Sequence, residues 1–195
     1  ILPLNEKEKK EILMQGEKMA RQSMRVLALA YKPTSQIEEK NLIFVGMVGM
    51  IDPPRKEAIQ AIQDLKEAGI ETIMITGDHK NTAFAIAKEL DIAQNETECI
   101  SGAELDKLNE KELARQIQQY RVFSRVTPEH KVKIVKALKE NENIVAMTGD
   151  GVNDAPSLKA ADIGIAMGIS GTDVAKGAAD MVLSDDNFAS IEKAV

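Results

Sequence analysis

The stretch IVAMTGDGVND, residues 144–154, decides the fold. Ile144 to Met147 is an apolar run of strand length, and Thr148-Gly149-Asp150-Gly151 ends it with turn residues. The same pattern occurs upstream, where ETIMI at 71–75 runs into Thr76-Gly77-Asp78. An amphipathic helix precedes each unit. Ile59, Ile62 and Leu65 share one face of the first, which Gly69 terminates; Val132, Val135 and Leu138 share a face of the second, over 128–139, which Pro128 opens. Another helix groups Ala83, Ile86, Ala87 and Leu90. Arg121–Ser124, Ile163–Met167 and Met181–Leu183 supply further short strands, and residues 94–119 read as a polar excursion. Short apolar strands alternating with helices bury both of their faces. Residues 52–195 therefore predict one doubly wound α/β domain, a parallel sheet with helices on both sides.

Upstream of residue 52 the pattern changes. Residues 5–23 predict an exposed helix with a narrow apolar stripe at Ile12, Met19 and Ala20, followed by strands at 24–31 and 42–51 joined through Lys32-Pro33-Thr34-Ser35. A short polar connection favours an antiparallel pair. Asp52-Pro53-Pro54-Arg55 breaks the chain, because consecutive prolines remove two donors and stiffen the backbone.

Composition narrows the functions. Lys plus Arg number 25 against 31 Asp plus Glu, a net charge of −6, and aromatics are 3% with no Trp, so bulk attraction to nucleic acid and base stacking are both disfavoured. Cys99 is the single cysteine, which fits a reducing compartment. The longest uncharged stretch, near Asn41–Ile51, is far below the roughly 18 apolar residues of a membrane span. The chain begins with neither a signal segment nor a Met, as expected of a piece of something longer. No G-x-x-x-x-G-K-[ST] or G-x-G-x-x-G occurs, and two histidines with one cysteine do not make a zinc site of the usual kind.

Ligands of open α/β sheets sit beyond the carboxyl ends of the strands, where both Thr-Gly-Asp triplets fall. Thr76, Gly77 and Asp78 could approach an anion closely, or could form only a turn and helix cap. Asp150, Asn153 and Asp154 put three oxygen-bearing side chains into five residues. That pattern suits a phosphate-bound Mg²⁺, with a network of Asx turns as the plainer reading. Lys131 follows Thr127-Pro128 at a helix start, where ammonium and macrodipole could face one phosphoryl group; alone it would be a solvated lysine. Arg125 is either a phosphate clamp or a surface cation. Crowded acids repel, so without metal at least one of Asp78, Asp150 and Asp154 is predicted to titrate high.

TGDGVNDAP at 148–156 resembles the P-type cation-transporting ATPases. The likeness extends to MIDPPR at 50–55, MITGDHKNTAFAIAKEL at 74–90, VFSRVTPEHK at 122–131, SDDNFASI at 184–191 and MRVLALAY at 24–31. The resemblance implies a haloacid-dehalogenase-like phosphorylation domain over 52–195, preceded over 1–51 by the end of the nucleotide-binding domain. It implies ATP and Mg²⁺ as cofactors. Arg25 would contact the ATP phosphates, Asp52 would lie at the ribose and interdomain hinge, and Arg125 would approach the nucleotide. Thr76, Gly77 and Lys131 would hold the transferred phosphoryl group, and Asp78 would organise the pocket. Asp150 would ligate Mg²⁺, Asp154 would do so directly or from behind another ligand, and Asn153 and Asp154 would orient metal and phosphate.

The sequence departs from the family in one respect. The family's acceptor aspartate lies in Asp-Lys-Thr-Gly-Thr, and that motif is absent. The strand bearing it would lie between those ending at Thr76 and Thr148. The chain alone is therefore expected to form no phosphoenzyme, and to leave two strand edges that pair directly, recruit a strand from another chain, or occur only within a larger assembly. Its implied partners are the rest of its own pump: the membrane helices, the actuator domain and the remainder of the nucleotide domain. The transported cation would bind elsewhere, and nucleic acid is not a partner. The implied location is the cytoplasmic face of a membrane protein, in a bacterial plasma membrane. SDDNFASI and MIDPPR are nearest the calcium and sodium/potassium branches, and TGDHKNTAFAIAKEL leans to bacterial calcium pumps. Two other readings stay open: a soluble phosphatase of the same fold, and a nucleotide- or phosphate-binding module without turnover.

Overall fold

A computed structural model describes residues 4–33 and 39–194. Helix α1 (Glu6–Ala20) opens with a reciprocal cap, in which Asn5 Oδ1 accepts from the Glu8 N–H at 2.9 Å and Glu8 Oε2 accepts from the Asn5 N–H at 2.8 Å. Strands β1 (Met24–Tyr31) and β2 (Ile43–Ile51) then pair antiparallel, Met24 opposite Ile51, with a register shift between Leu29 and Ala30. The predicted turn at 32–35 lies partly outside the described residues, which omit 34–38.

The remaining elements alternate. They run α2 (Lys56–Glu67), β3 (Met74–Ile75), α3 (Lys80–Glu89), β4 (Cys99–Ser101), α4 (Gly102–Leu105), α5 (Glu110–Gln116), β5 (Val122–Ser124), α6 (Pro128–Glu140), β6 (Ala146–Gly149), α7 (Ala155–Ala160), β7 (Ile163–Met167), α8 (Asp173–Ala178), β8 (Met181–Leu183) and α9 (Ala189–Glu192). Gly69 stands just past α2 at φ +81°, the left-handed geometry of a helix stop. Every strand pairing from β3 onward is parallel.

The expected single sheet is divided in two. One sheet has the order β3-β5-β4 and the other β6-β7-β8, so β3 and β6 are both edge strands. No described strand lies between them, and they do not pair with each other. Of the three outcomes expected for the edges, direct pairing does not occur.

Helix α6 joins the halves. Its Ile134 and Ala137 pack with Ile100, Leu105, Leu113, Ile117 and Phe123, while Val135 packs with Val145, Met147, Leu158, Ala166 and Ala175. Half-buried Ile75 at the end of β3 touches both groups. Alternation along each central strand gives the double winding. On β5, Phe123 faces the α5 and α6 side while Val122 packs with Ala83 and Ala87 of α3. On β7, Ala166 faces α8 and Ile165 packs with Ile191 of α9.

Several sequence expectations shift by a residue or two. Ile144 precedes its strand and is 84% exposed. The α6 stripe is rotated, with Ile134 and Ala137 buried and Val132 and Leu138 only half so, because α6 serves two cores at once. The polar excursion holds β4, α4 and α5, which the sequence reading did not resolve.

Candidate functional site

Both Thr-Gly-Asp turns lie at carboxyl ends of parallel strands, Thr76 just after β3 and Thr148 and Gly149 as the last residues of β6. In the first, the Asp78 N–H donates to Thr76 Oγ1 at 3.1 Å and the hydroxyl reaches Asp78 Oδ2 at 3.2 Å. The turn is pinned to the β5 side, since the Arg125 N–H donates to the Asp78 carbonyl at 3.2 Å and the Val126 N–H to the Thr76 carbonyl at 3.4 Å. Arg125 makes this bond in a left-handed conformation, φ +51°, with its side chain exposed. The cap of α3 is His79, whose Nδ1 accepts from the Asn81 N–H at 3.4 Å. The helix-cap reading thus fails for Asp78 itself. A Cβ built on exposed Gly77 would meet no atom within 4 Å.

At the second turn the three clustered side chains separate. Asp150 and Asn153 are exposed, and Asp154 turns inward. Asp154 Oδ2 accepts from the N–H groups of Asp150 at 3.2 Å and Gly151 at 3.0 Å, and Oδ1 accepts from Lys131 Nζ at 2.5 Å. Side-chain exposures of 8% for Asp154 and 23% for Lys131 make this a largely desolvated pair. The Ser157 hydroxyl donates to the Asp154 carbonyl at 2.8 Å and anchors the start of α7.

Lys131 lies in the first turn of α6, where Thr127 Oγ1 accepts from the His130 N–H at 3.4 Å and His130 Nδ1 accepts from the Thr127 N–H at 3.1 Å. His130 Nε2 lies 2.8 Å from Asp106 Oδ1. Because α6 follows β5, the Lys131–Asp154 bond draws the carboxyl end of β5 to that of β6. The bonds from residues 125 and 126 draw β3 to the same end. Thr76, Asp78, Arg125, Lys131, Asp150 and Asp154 are therefore joined by one chain across the gap between the sheets: hydrogen bonds link Thr76, Asp78 and Arg125, others link Lys131, Asp154 and Asp150, and the covalent segment 125–131 connects the two groups. Arg25 and Asp52, both exposed, sit at one end of the β1–β2 hairpin, and among the described residues no hydrogen bond or ion pair joins them to that chain. The hairpin reaches α3 through Thr82 Oγ1, which donates to the Met24 carbonyl at 3.2 Å.

The carboxyl of Asp154 runs against the expectation of a raised acid. Burial pushes it up, but the Lys131 ammonium and the N–H groups of Gly151 and Asp150 together outweigh burial and hold it below its ordinary value. A cation from α6, 23 residues away in sequence, replaces the acidic neighbour that adjacency suggested. Among the described residues no group of three or more His, Cys, Asp or Glu side chains could hold a metal, and no helix is long and apolar enough to cross a membrane. The sequence reading gave no role to Asp106, Thr172 or Asp186. Thr172 donates its N–H to the Asp150 carbonyl at 2.8 Å, and only the SDDNFASI likeness drew attention near Asp186.

This parallel frame, helices on both faces and polar turns gathered at the strand ends, defines an α/β protein of the kind that binds ligands there. The haloacid dehalogenase-like hydrolase family matches residues 3–162, and the chain belongs to that family. It is 61% identical over 198 residues to calcium-transporting ATPase 1 of Bacillus cereus, covering 98% of this chain and 22% of that one. Identity to the calcium-transporting ATPase of Bacillus subtilis is 53% over 184 residues, 91% of this chain and 21% of the relative. Human calcium-transporting ATPase type 2C member 2 is 48% identical over 194 residues, 100% and 20%. The likeness to cation-transporting ATPases, calcium pumps foremost, therefore holds along the chain, which spans about a fifth of the length of these relatives.

Proposed function

We propose that this chain is part of an ATP-driven calcium pump, the part that positions a phosphoryl group and Mg²⁺ beside an aspartate supplied from outside these residues. The observation carrying the reading is the Lys131–Asp154 pair, which seats a lysine and the Asp150 turn at one end of the parallel strands. Thr76, the N–H groups around Gly77 and the Lys131 ammonium hold the phosphoryl oxygens, and the open space at Gly77 lets a phosphate approach the backbone. Asp78 orients Thr76 by the bond they already share. As the acceptor carboxylate oxygen bonds to the γ-phosphorus, the bond to the β–γ bridging oxygen breaks and ADP leaves. Water later cleaves the acyl phosphate to inorganic phosphate.

The donor set fits Mg²⁺, which needs few protein carboxylates and would be held by Asp150. Asp150 offers an exposed carboxylate, whereas both oxygens of Asp154 are engaged, so Asp154 acts from behind through Lys131 and the turn backbone. Bound Mg²⁺ would supply charge neutralisation between Asp150 and the phosphoryl oxygens. Asn153 orients the same oxygens. Arg25, Arg125 and Asp52 serve the nucleotide, reached when the rest of the nucleotide-binding domain completes the hairpin; the proposed boundary between the two domains is residue 51/52. The pump's other partners are its actuator domain and its membrane helices, which hold the transported cation, and this part faces the cytoplasm.

The test uses the full-length protein in membranes with radiolabelled ATP. Calcium-dependent, acid-stable, hydroxylamine-sensitive labelling is expected, with at least about a tenfold loss in Lys131→Met and Asp150→Asn. Unchanged labelling in both variants refutes the reading, and labelling of residues 1–195 alone refutes placement of the acceptor elsewhere.

A further inference from the structure

We propose that Asp186 is a positioning residue for the Asp150 turn, acting through the loop that joins β7 to α8. The proposal rests on the reading of Asp150 given above. Asp186 follows β8 in a left-handed conformation, φ +49°, which aspartate tolerates better than most residues. Its Oδ1 accepts from the Ile169 N–H at 2.9 Å and its Oδ2 from the Ser170 N–H at 2.7 Å. The next residue, Gly171, is buried, and a Cβ there would fall 1.9 Å from the Met167 carbonyl oxygen. The loop therefore doubles back onto the end of β7 with no space between. It leaves this contact at Thr172, whose N–H donates to the Asp150 carbonyl at 2.8 Å while its hydroxyl oxygen caps α8 through the Ala175 N–H at 3.2 Å.

Both backbone groups of Asp150 are thus committed. Its N–H goes to Asp154, which Lys131 holds, and its carbonyl goes to Thr172, at the end of the loop that Asp186 holds. The exposed Asp150 side chain is aimed by these two tethers, one from each side. The clamp depends on charge. A carboxylate presents only acceptors to the two N–H groups, whereas an amide would turn its NH₂ on one of them. Those N–H groups, the Ile169 donor foremost, hold the Asp186 carboxyl down at about 2, so it is ionised at neutral pH.

Asp186→Asn in the full-length protein, without ATP, tests the coupling by hydrogen–deuterium exchange. Exchange is expected to quicken several-fold over residues 169–172 and also over 150–154. Quickening confined to 169–172 overturns the proposal, because the loop would then loosen without moving the Asp150 turn. The second readout is the Mg²⁺ concentration for half-maximal phosphoenzyme. It is expected to rise about tenfold with the ATP requirement unchanged, a split that a merely destabilised fold does not produce. Asp150→Asn separates the two readings. If it raises the Mg²⁺ requirement and Asp186→Asn does not, positioning by Asp186 is wrong and the pump reading stands. If neither raises it, the metal role of Asp150 falls, and this inference falls with it. Should Asp186→Asn fail to accumulate, Asp186→Glu keeps the charge but displaces it by a methylene, and the same two outcomes decide.

Discussion

Breaking the Lys131–Asp154 pair from either side carries a cost that the structure sets. Removing one partner of a buried pair costs about 3–5 kcal/mol when the survivor is left uncompensated. In Lys131→Met the survivor, Asp154, keeps its bonds from the Asp150 and Gly151 N–H groups, and the vacated lysine site is partly open to water. We therefore expect a loss of ~2–3 kcal/mol. Asp154→Asn leaves a better-solvated lysine but turns an amide toward one donor, for about 1.5–3 kcal/mol. Urea unfolding of the chain at pH 7 measures both, and the double variant should be less costly than the sum by about 1–2 kcal/mol. The acid dependence has a definite sign. The folded carboxyl of Asp154 lies below its ordinary 3.8, so its contribution is full above that pH and is lost as the pH falls through the lower, folded value. The Asp154→Asn penalty should therefore shrink below pH 3.8. In Lys131→Met the lost attraction between the ammonium and the Asp154 carboxylate matters only while that carboxyl is ionised, so that penalty too should fade as acid protonates Asp154. Additivity of the two variants within about 0.5 kcal/mol at pH 7 would refute the coupling on which the site is built.

Burial pushes the Cys99 thiol up to about 11, so the folded chain should resist a thiol reagent at pH 7.5 and label only at its unfolding rate; rapid stoichiometric labelling contradicts the packing of β4. Gly171→Ala and Gly177→Ala make a paired test of the β7–α8 region. The first collides with the Met167 carbonyl and should cost about 3 kcal/mol or more, while a Cβ at Gly177 meets nothing within 4 Å and its α8 position should gain up to about 1 kcal/mol from helix propensity. Equal effects in urea unfolding would show that the loop is not seated as described.

Local patterns carried much of the architecture. The antiparallel hairpin, the parallel strands and Met181–Leu183 follow from alternation, apolar runs and breakers that neighbouring residues decide among themselves. Strand β4 escaped because Cys99–Ser101 offers one large aliphatic residue, Ile100, inside a polar stretch, whereas the equally short Met181–Leu183 is apolar throughout. A usable signal did exist around it. Asn95 with Glu98, Ser101 with Glu104 and Asn109 with Glu112 are successive capping boxes, each marking a helix start within what read as an undivided polar stretch. The rotated stripe of α6 was not legible, since Ile134 and Val135 point into different cores and a one-faced pattern presumes one core.

The sequence by itself determined the residue types of the site and their order along the chain. Thr76, Asp78, Asp150 and Asp154 stand out because polar and glycine residues interrupt apolar runs at strand ends, and Lys131 because it follows Thr127-Pro128 at a helix start, both short-range properties. Only the tertiary structure decided their relations. Adjacency suggested that Asp154 repels Asp150, but folding brings Lys131 to it from another element and holds its carboxyl below its ordinary value instead of raising it. Nothing within five residues of Asp150 shows that its carbonyl is held by Thr172, or that Asp186 holds the loop leading there. Nor do local patterns show that β3 and β6 stay apart. An edge strand has the same side-chain pattern as a paired one, because the ladder is made by backbone groups that every residue carries, and only the neighbours present in space decide whether they are satisfied.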